Sequence, residues 1–293
     1  MTKLALGTVQ FGIDYGISNR IGRTQKSDVD KILKYAFKKG INTLDTALSY
    51  GNSERVVGDS IRSTDCWDII TKTMNFTVDT ISNKQIDELL YRFELSRKKL
   101  GQEVIYGLLI HNCDNLFLPG GGGLLQALEA LKNEGFIKKV GVSIYNGKQV
   151  DRILNNYSVD LVQIPISILD QRLLKSGRLK KLKKHGIEIH ARSIFLQGLI
   201  LMLAKDVPYW FNPILGVLKE FCMEAEKRNM STLQLALGFV QSIDEIDKIV
   251  VGVNTLKQLR EIIDSTSICV NTTEFSNISI NDPIFLNPSN WKL

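Results

Sequence analysis

The chain has 293 residues, 44% hydrophobic and 23% charged, with a formal net charge of +6. That is ample apolar material for a sizeable core, and no run is apolar enough to span a membrane or basic and aromatic enough to line a nucleic-acid groove. The four cysteines, Cys66, Cys113, Cys222 and Cys269, lack paired spacing, so neither a zinc motif nor a disulfide framework is indicated; reduced thiols and a cytoplasmic protein are expected.

In chain order, short aliphatic runs alternate with amphipathic stretches. "LALGTV" (4–9) reads as the first strand, and the apolar part of the "MTKLALGTVQFG" start is too short for a signal peptide. "KSDVDKILKYAFKKG" predicts a helix with Ser27 or Asp28 as N-cap and Gly40 as its stop. Strands follow at "NTLDTA" (42–47) and "DIITKT" (68–73), then a helix from Ser82 to Gly101. "VIYGLLIH" (104–111) is the fourth strand. "LPGGGG" (118–123) reads as a plain loop, because no P-loop lysine and serine follow it. "LLQALEALKNEG" predicts a helix, "KVGVSI" (139–144) a strand, "GKQVDRILNN" a helix and "LVQIPIS" (161–167) a strand. "QRLLKSGRLKKLKKHG" predicts one helix before the strand "EIHARSI" (188–194). From about Leu199 to Pro213, including Tyr209–Phe211, a long lid or binding loop is expected. "KIVVGV" (248–253) and the helical "NTLKQLREIID" close the series, and about 265–293 reads as an irregular tail.

The strand runs lack strict polar alternation, as in parallel strands buried on both faces. Eight of them, each followed by a helix and with no linker between, predict a single-domain α/β protein, a (β/α)8 TIM barrel over about 4–264. A doubly wound sheet is the runner-up, but GxGxxG is absent after the first strand.

Chemistry in such a barrel sits at the C-terminal ends of the strands. Asp45, Lys72, His111, Ser143, Gln163, Arg192 and Ser193 lie at or near those ends, with Tyr50 on the loop after the second strand. Buried strands otherwise avoid such side chains, because an unpaired buried charge is costly. A free tyrosine titrates near 10. A lysine beside it is expected to lower that value, a carboxylate to keep the lysine charged, and a histidine to orient a carbonyl oxygen. Asp45, Tyr50, Lys72 and His111 thus read as a proton-donating unit aimed at a carbonyl. No metal cluster competes with it.

"GTVQFG", "LDTALSYGNSERVVG", "IITK", "LLIH", "VGVSI", "LVQIPIS" and "VVGVNTLKQL" occur in the order and at the intervals of the aldo/keto reductase superfamily. The resemblance covers about residues 4–264. It implies a barrel that binds NADPH, less often NADH, and transfers hydride to a carbonyl. Tyr50 is then the general acid, tuned by Lys72 and Asp45, with His111 orienting the substrate. Ser143 and Gln163 match positions that hold the nicotinamide carboxamide; Gly7, Thr8 and Asp45 lie on the same side. Ser193, Leu196, Gln197 and Gly198 resemble the pyrophosphate segment, and Gly252, Asn254, Gln258 and Glu261 the adenosine-phosphate segment. Arg192 stands where many members stack an aromatic ring on nicotinamide, and Ile144 and Ile262 replace usual asparagines. NADP is favoured over NAD by family habit, with Lys257 and Arg260 as candidate partners of a 2′-phosphate.

Phe11, Phe76 and Tyr145 are expected to wall the substrate pocket. Tyr15 is a rival phenol outside the DTAxxYG context, and His185 and His190 read as structural or surface residues. "ARSIFLQGL" and "NPSNW" resemble bacterial reductases of sugar-nucleotide or surface-polysaccharide pathways, so a small, sugar-like carbonyl substrate fits. Oligomeric state is not legible. The alternative is a cofactor-binding regulatory or redox-sensing subunit, as in potassium-channel β subunits. A metal-dependent lyase would need clustered acids at strand ends, and only Asp45 qualifies.

Overall fold

A computed structural model of the chain describes residues 2–62 and 65–292. Eight parallel strands close into one barrel in sequence order: β1 (Leu4–Gly7), β2 (Thr43–Asp45), β3 (Asp68–Lys72), β4 (Ile105–Ile110), β5 (Ile137–Ser143), β6 (Leu161–Pro165), β7 (Glu188–Arg192) and β8 (Lys248–Gly252). β1 pairs with both β2 and β8, which closes the ring. All eight predicted strands are present; seven are trimmed at one or both ends, and β5 starts two residues earlier than expected, at Ile137.

Side chains alternate along each strand. Val140, Val142, Val162 and Ile164 are buried under the helices. Their neighbours point inward and build layers. Ile70, Leu109 and Leu161 pack together inside the barrel. At the N-terminal end Glu188 accepts from Tyr106 Oη at 2.9 Å, pairs with Lys139, and lies 2.6 Å from His190 Nε2. At the C-terminal end the inward layer is Asp45, Lys72, Ser143, Gln163 and Arg192. A period of two thus carries polar residues to both mouths and apolar ones to the middle.

The helix Lys26–Lys38 buries Val29, Ile32, Leu33 and Ala36. Its N-cap is Gln25, not Ser27 or Asp28: Gln25 is the last extended residue, and Asp28 sits in the first turn, ion-paired to Lys31 at 2.9 Å. Gly40, at φ +80°, stops it as expected. The helix Asn83–Leu100 starts at a Ser82/Gln85 capping box and ends at Gly101, φ +63°. The single helix expected over 171–186 is two, Arg172–Lys175 and Arg178–Lys184, because Gly177 between them takes φ +69°.

After β7, 3₁₀ turns lead to two helices not expected from the sequence, Leu215–Lys227 and Thr232–Gln241. In the segment expected to be a lid, Phe211 is buried edge-on to Trp291, with ring centroids 4.9 Å apart, and Tyr209 faces solvent. Phe211 thus packs into the core, and none of residues 209–211 lines the cavity. The tail is more ordered than expected: it includes the helical turns Thr272–Ile278 and Pro283–Leu286, and buries Phe275, Ile278, Ile280 and Leu286.

Candidate active site

The strand ends converge on a cavity of about 650 Å³ at the C-terminal mouth. Its floor is a hydrogen-bonded unit drawn from three strands. Lys72 Nζ donates to Asp45 Oδ1 at 2.7 Å and to Thr46 O at 2.8 Å. Gln163 Nε2 donates to the same Asp45 oxygen at 2.7 Å. Lys72 and Asp45 are almost fully buried, so neither charge is tolerable without the other. Tyr50 stands above them, its ring centroid 5.2 Å from Lys72 Nζ. His111 meets Tyr50 edge-on at 6.3 Å between centroids.

Gly12 fixes the position of Tyr50. A Cβ on Gly12 would fall 1.7 Å from Tyr50 O and 2.6 Å from Ser53 N, so only glycine lets the two loops touch. Below that contact, Ser53 Oγ donates to Thr8 O at 2.7 Å.

Charge states follow from burial. Tyr50 is held well above the usual phenol range, first by burial and then by the Asp45 charge; Arg192 pulls the other way. The expectation that Lys72 lowers it is therefore corrected: burial also pushes Lys72 down, and its charge is matched by Asp45. His111 is pushed down to about 4, by burial and then by the Lys72 and Arg192 charges, so it is neutral at pH 7. A protonated phenol and a neutral imidazole can both donate to one oxygen.

Around the cavity, Gly7 and Thr8 close one side and Ser143, Tyr145, Arg192 and Ser193 another. Gln197, Gly198, Gly252, Asn254, Gln258 and Glu261 line its far part. Some of these carry structural bonds. Asn254 Nδ2 donates to Gly22 O at 3.0 Å, and Gln258 Oε1 accepts from Asn254 N at 2.7 Å. Arg192 lies over the Tyr145 ring, 4.3 Å from its centroid. Ile144 is buried outside the cavity, while Ile262 touches its edge. Leu196 is buried beside the cavity without lining it, and Phe11 and Phe76 pack into the core, away from it. Lys257 points to solvent, 3.9 Å from Glu261, and Arg260 lies over Tyr35; neither lines the cavity.

Tyr15, Gln10, Ser18 and Asn19 also line it and were not expected. They come from the segment after β1, which folds back over the cavity: Ile17 N donates to Gln197 O at 3.1 Å. The segment it latches has Ser193, Leu196 and Gln197 at φ 59°, 44° and 55°, with Gly198 at 91°. Left-handed backbone in non-glycine residues is strained, and such strain clusters at ligand clamps. Burial raises the Tyr15 phenol to about 12. Thr232 and Leu233 reach the cavity from the unexpected helix.

The residues present fit a nicotinamide dinucleotide. Gln163 lines the cavity, and its Oε1 is a buried acceptor without a hydrogen-bond partner, which suits a carboxamide N–H.

The fold is a (β/α)8 barrel with its polar cavity at the strand C-termini, the end where chemistry sits in enzymes of this fold. Residues 3–281 match the aldo/keto reductase family model, and the chain belongs to that family; it is an NAD(P)-dependent oxidoreductase. The NADH-specific methylglyoxal reductase of Escherichia coli (strain K12) is 24% identical, with 92% of this chain and 90% of the relative covered. The glycerol dehydrogenase of Gluconobacter oxydans superposes with a TM-score of 0.73 at 20% identity, covering 98% of this chain and 93% of that one. An aldo-keto reductase from Klebsiella pneumoniae in complex with NADPH gives 0.69 at 16% identity, covering 95% and 90%. Among the described residues no helix is long and apolar enough to cross a membrane.

Proposed function

We propose that the protein reduces a small aldehyde or ketone to an alcohol, or runs the reverse reaction, with Tyr50 as the general acid or base. The observation that carries this is the buried Lys72–Asp45–Gln163 unit directly beneath Tyr50 and His111. Hydride would come from a nicotinamide dinucleotide when one is bound. Neutral His111 donates a hydrogen bond to the carbonyl oxygen and sets its direction. Tyr50, held protonated by its surroundings, delivers its proton as negative charge develops on that oxygen. Arg192, whose charge opposes the upward shift of Tyr50, then stabilises the phenolate. Ser143 and Gln163 would hold the carboxamide, Ser193, Gln197 and Gly198 the pyrophosphate, and Gly252 and Glu261 the adenosine end. We favour NADPH, with Lys257 turning from Glu261 to meet the 2′-phosphate. The NADH-specific relative makes a side-by-side titration of both cofactors part of the test.

Tyr50→Phe is expected to lower turnover of reducible aldehydes by about 10²–10⁴-fold while NADPH still binds in a fluorescence titration. Unchanged turnover would remove Tyr50 from the mechanism. Tight cofactor retention with no turnover of any carbonyl by the wild type would favour a regulatory subunit.

A further inference from the structure

Among the described residues, the cavity walls carry one cation that they do not themselves neutralise. Lys72 is matched by Asp45, and His111 is neutral at pH 7. Tyr15 and Tyr50 are protonated, and the cavity's other carboxylate, Glu261, lies at the far end beside Lys257. Arg192 remains. Among the described residues no carboxylate pairs with it. Its contacts are Ser193 Oγ at 3.3 Å, Ile144 O at 3.4 Å and the Tyr145 ring. Both hydrogen bonds are long, and a guanidinium has five N–H donors. With one face against Tyr145 the fork is held in place, and most of its donors are unused.

Its position decides what it can hold. Arg192 ends β7, and its charge is felt by Tyr50, Lys72 and His111, so it sits at the reacting end of the cavity. A partly buried cation without a counter-charge is costly, and the cost is relieved when a ligand brings the anion.

We propose that Arg192 is a specificity-determining residue that binds a carboxylate carried by the substrate, so that the preferred substrates are oxo-acids and aldehyde-acids rather than neutral carbonyls. This rests on the carbonyl-reduction reading, and the two can fail separately. A planar carboxylate takes two parallel N–H bonds from the fork, an arrangement a lysine cannot reproduce. Tyr15 and Tyr145 wall the same space and can donate to the same group.

The test measures binding apart from turnover. Benzoate and benzyl alcohol are titrated calorimetrically into wild type, Arg192→Met and Arg192→Lys, each with and without NADP⁺. Wild type is expected to bind benzoate about tenfold or more tighter than benzyl alcohol, Arg192→Lys to keep part of that preference, and Arg192→Met to lose it. In parallel, the kcat/KM ratio of succinic semialdehyde to butanal should fall toward unity in Arg192→Met. No preference in wild type, or the same preference in Arg192→Met, overturns the proposal. Should Arg192→Met not fold, the wild-type ratio and Arg192→Lys decide it alone. Arg192-dependent benzoate binding with no carbonyl turned over would sink the reduction reading and leave the carboxylate site standing.

Discussion

Removing one partner of the Asp45–Lys72 pair is expected to cost more than removing both. The two side chains are 5% and 1% exposed, and their charged atoms are 2.7 Å apart. At an effective dielectric of about 20, that separation gives roughly 6 kcal/mol of attraction. Taking each ion out of water costs several kcal/mol, so the intact pair is close to neutral for stability. Breaking it is another matter. Lys72→Met leaves a buried carboxylate with Gln163 as its remaining side-chain donor, and Asp45→Asn leaves a buried ammonium on Thr46 O. Each single variant should lose about 3–5 kcal/mol of unfolding free energy. The double variant should lose no more than one single, because no orphan charge remains. Urea unfolding of all four proteins, with the denaturant slope checked for constancy, measures the coupling. If the double variant's loss equals the sum of the singles to within about 0.5 kcal/mol, the pair is not coupled as described.

Two further outcomes follow from the geometry. Gly12→Ala must displace the backbone of Tyr50 or Ser53, since its Cβ would fall within 2.6 Å of both; a loss of about 1–3 kcal/mol together with a fall in kcat is expected, and wild-type kinetics would show that the loop contact does not place Tyr50. At the opposite mouth, the Glu188 pKa falls from 4.5 to about 2, where burial works against the charge and the bonds from His190, Lys139 and Tyr106 outweigh it. A folded pKa below the unfolded one contributes stability that is full above pH 4.5 and is lost as pH falls toward 2, on the order of 3 kcal/mol. Urea midpoints from pH 6 to 3 should therefore drop more steeply for wild type than for Glu188→Gln, and parallel curves would refute the assignment.

The parts of this molecule that were legible in the sequence are those that one run of residues decides. Strands buried on both faces announce themselves as aliphatic runs, and a charge ending such a run, as Asp45 and Lys72 do, marks a strand end that must find a partner. The helix Thr232–Gln241 escaped because Leu235 through Val240 are all buried, and a segment apolar on every side lacks the stripe that identifies a surface helix. Leu215–Lys227 did carry that stripe, in Leu218, Phe221 and Ala225, but the aromatic and proline-containing run before it suggested one long loop. Tyr15 was discounted for its local context, and its place depends on contacts remote in sequence. The loop that carries it is tied to Gln197 on one side and to Asn254, 232 residues away from Gly22, on the other. The charge state of Tyr50 belongs to the same class. A lysine near a tyrosine suggests a lowered pKa, yet the direction is set by burial, Asp45 from β2 and Arg192 from β7 acting together. The motif around Tyr50 supports the proposal that it is the proton donor. The proton affinity of Tyr50 is a property of the assembled mouth of the barrel, and Arg192, which pairs with no carboxylate among the described residues, is the residue through which the anion proposed above would change it.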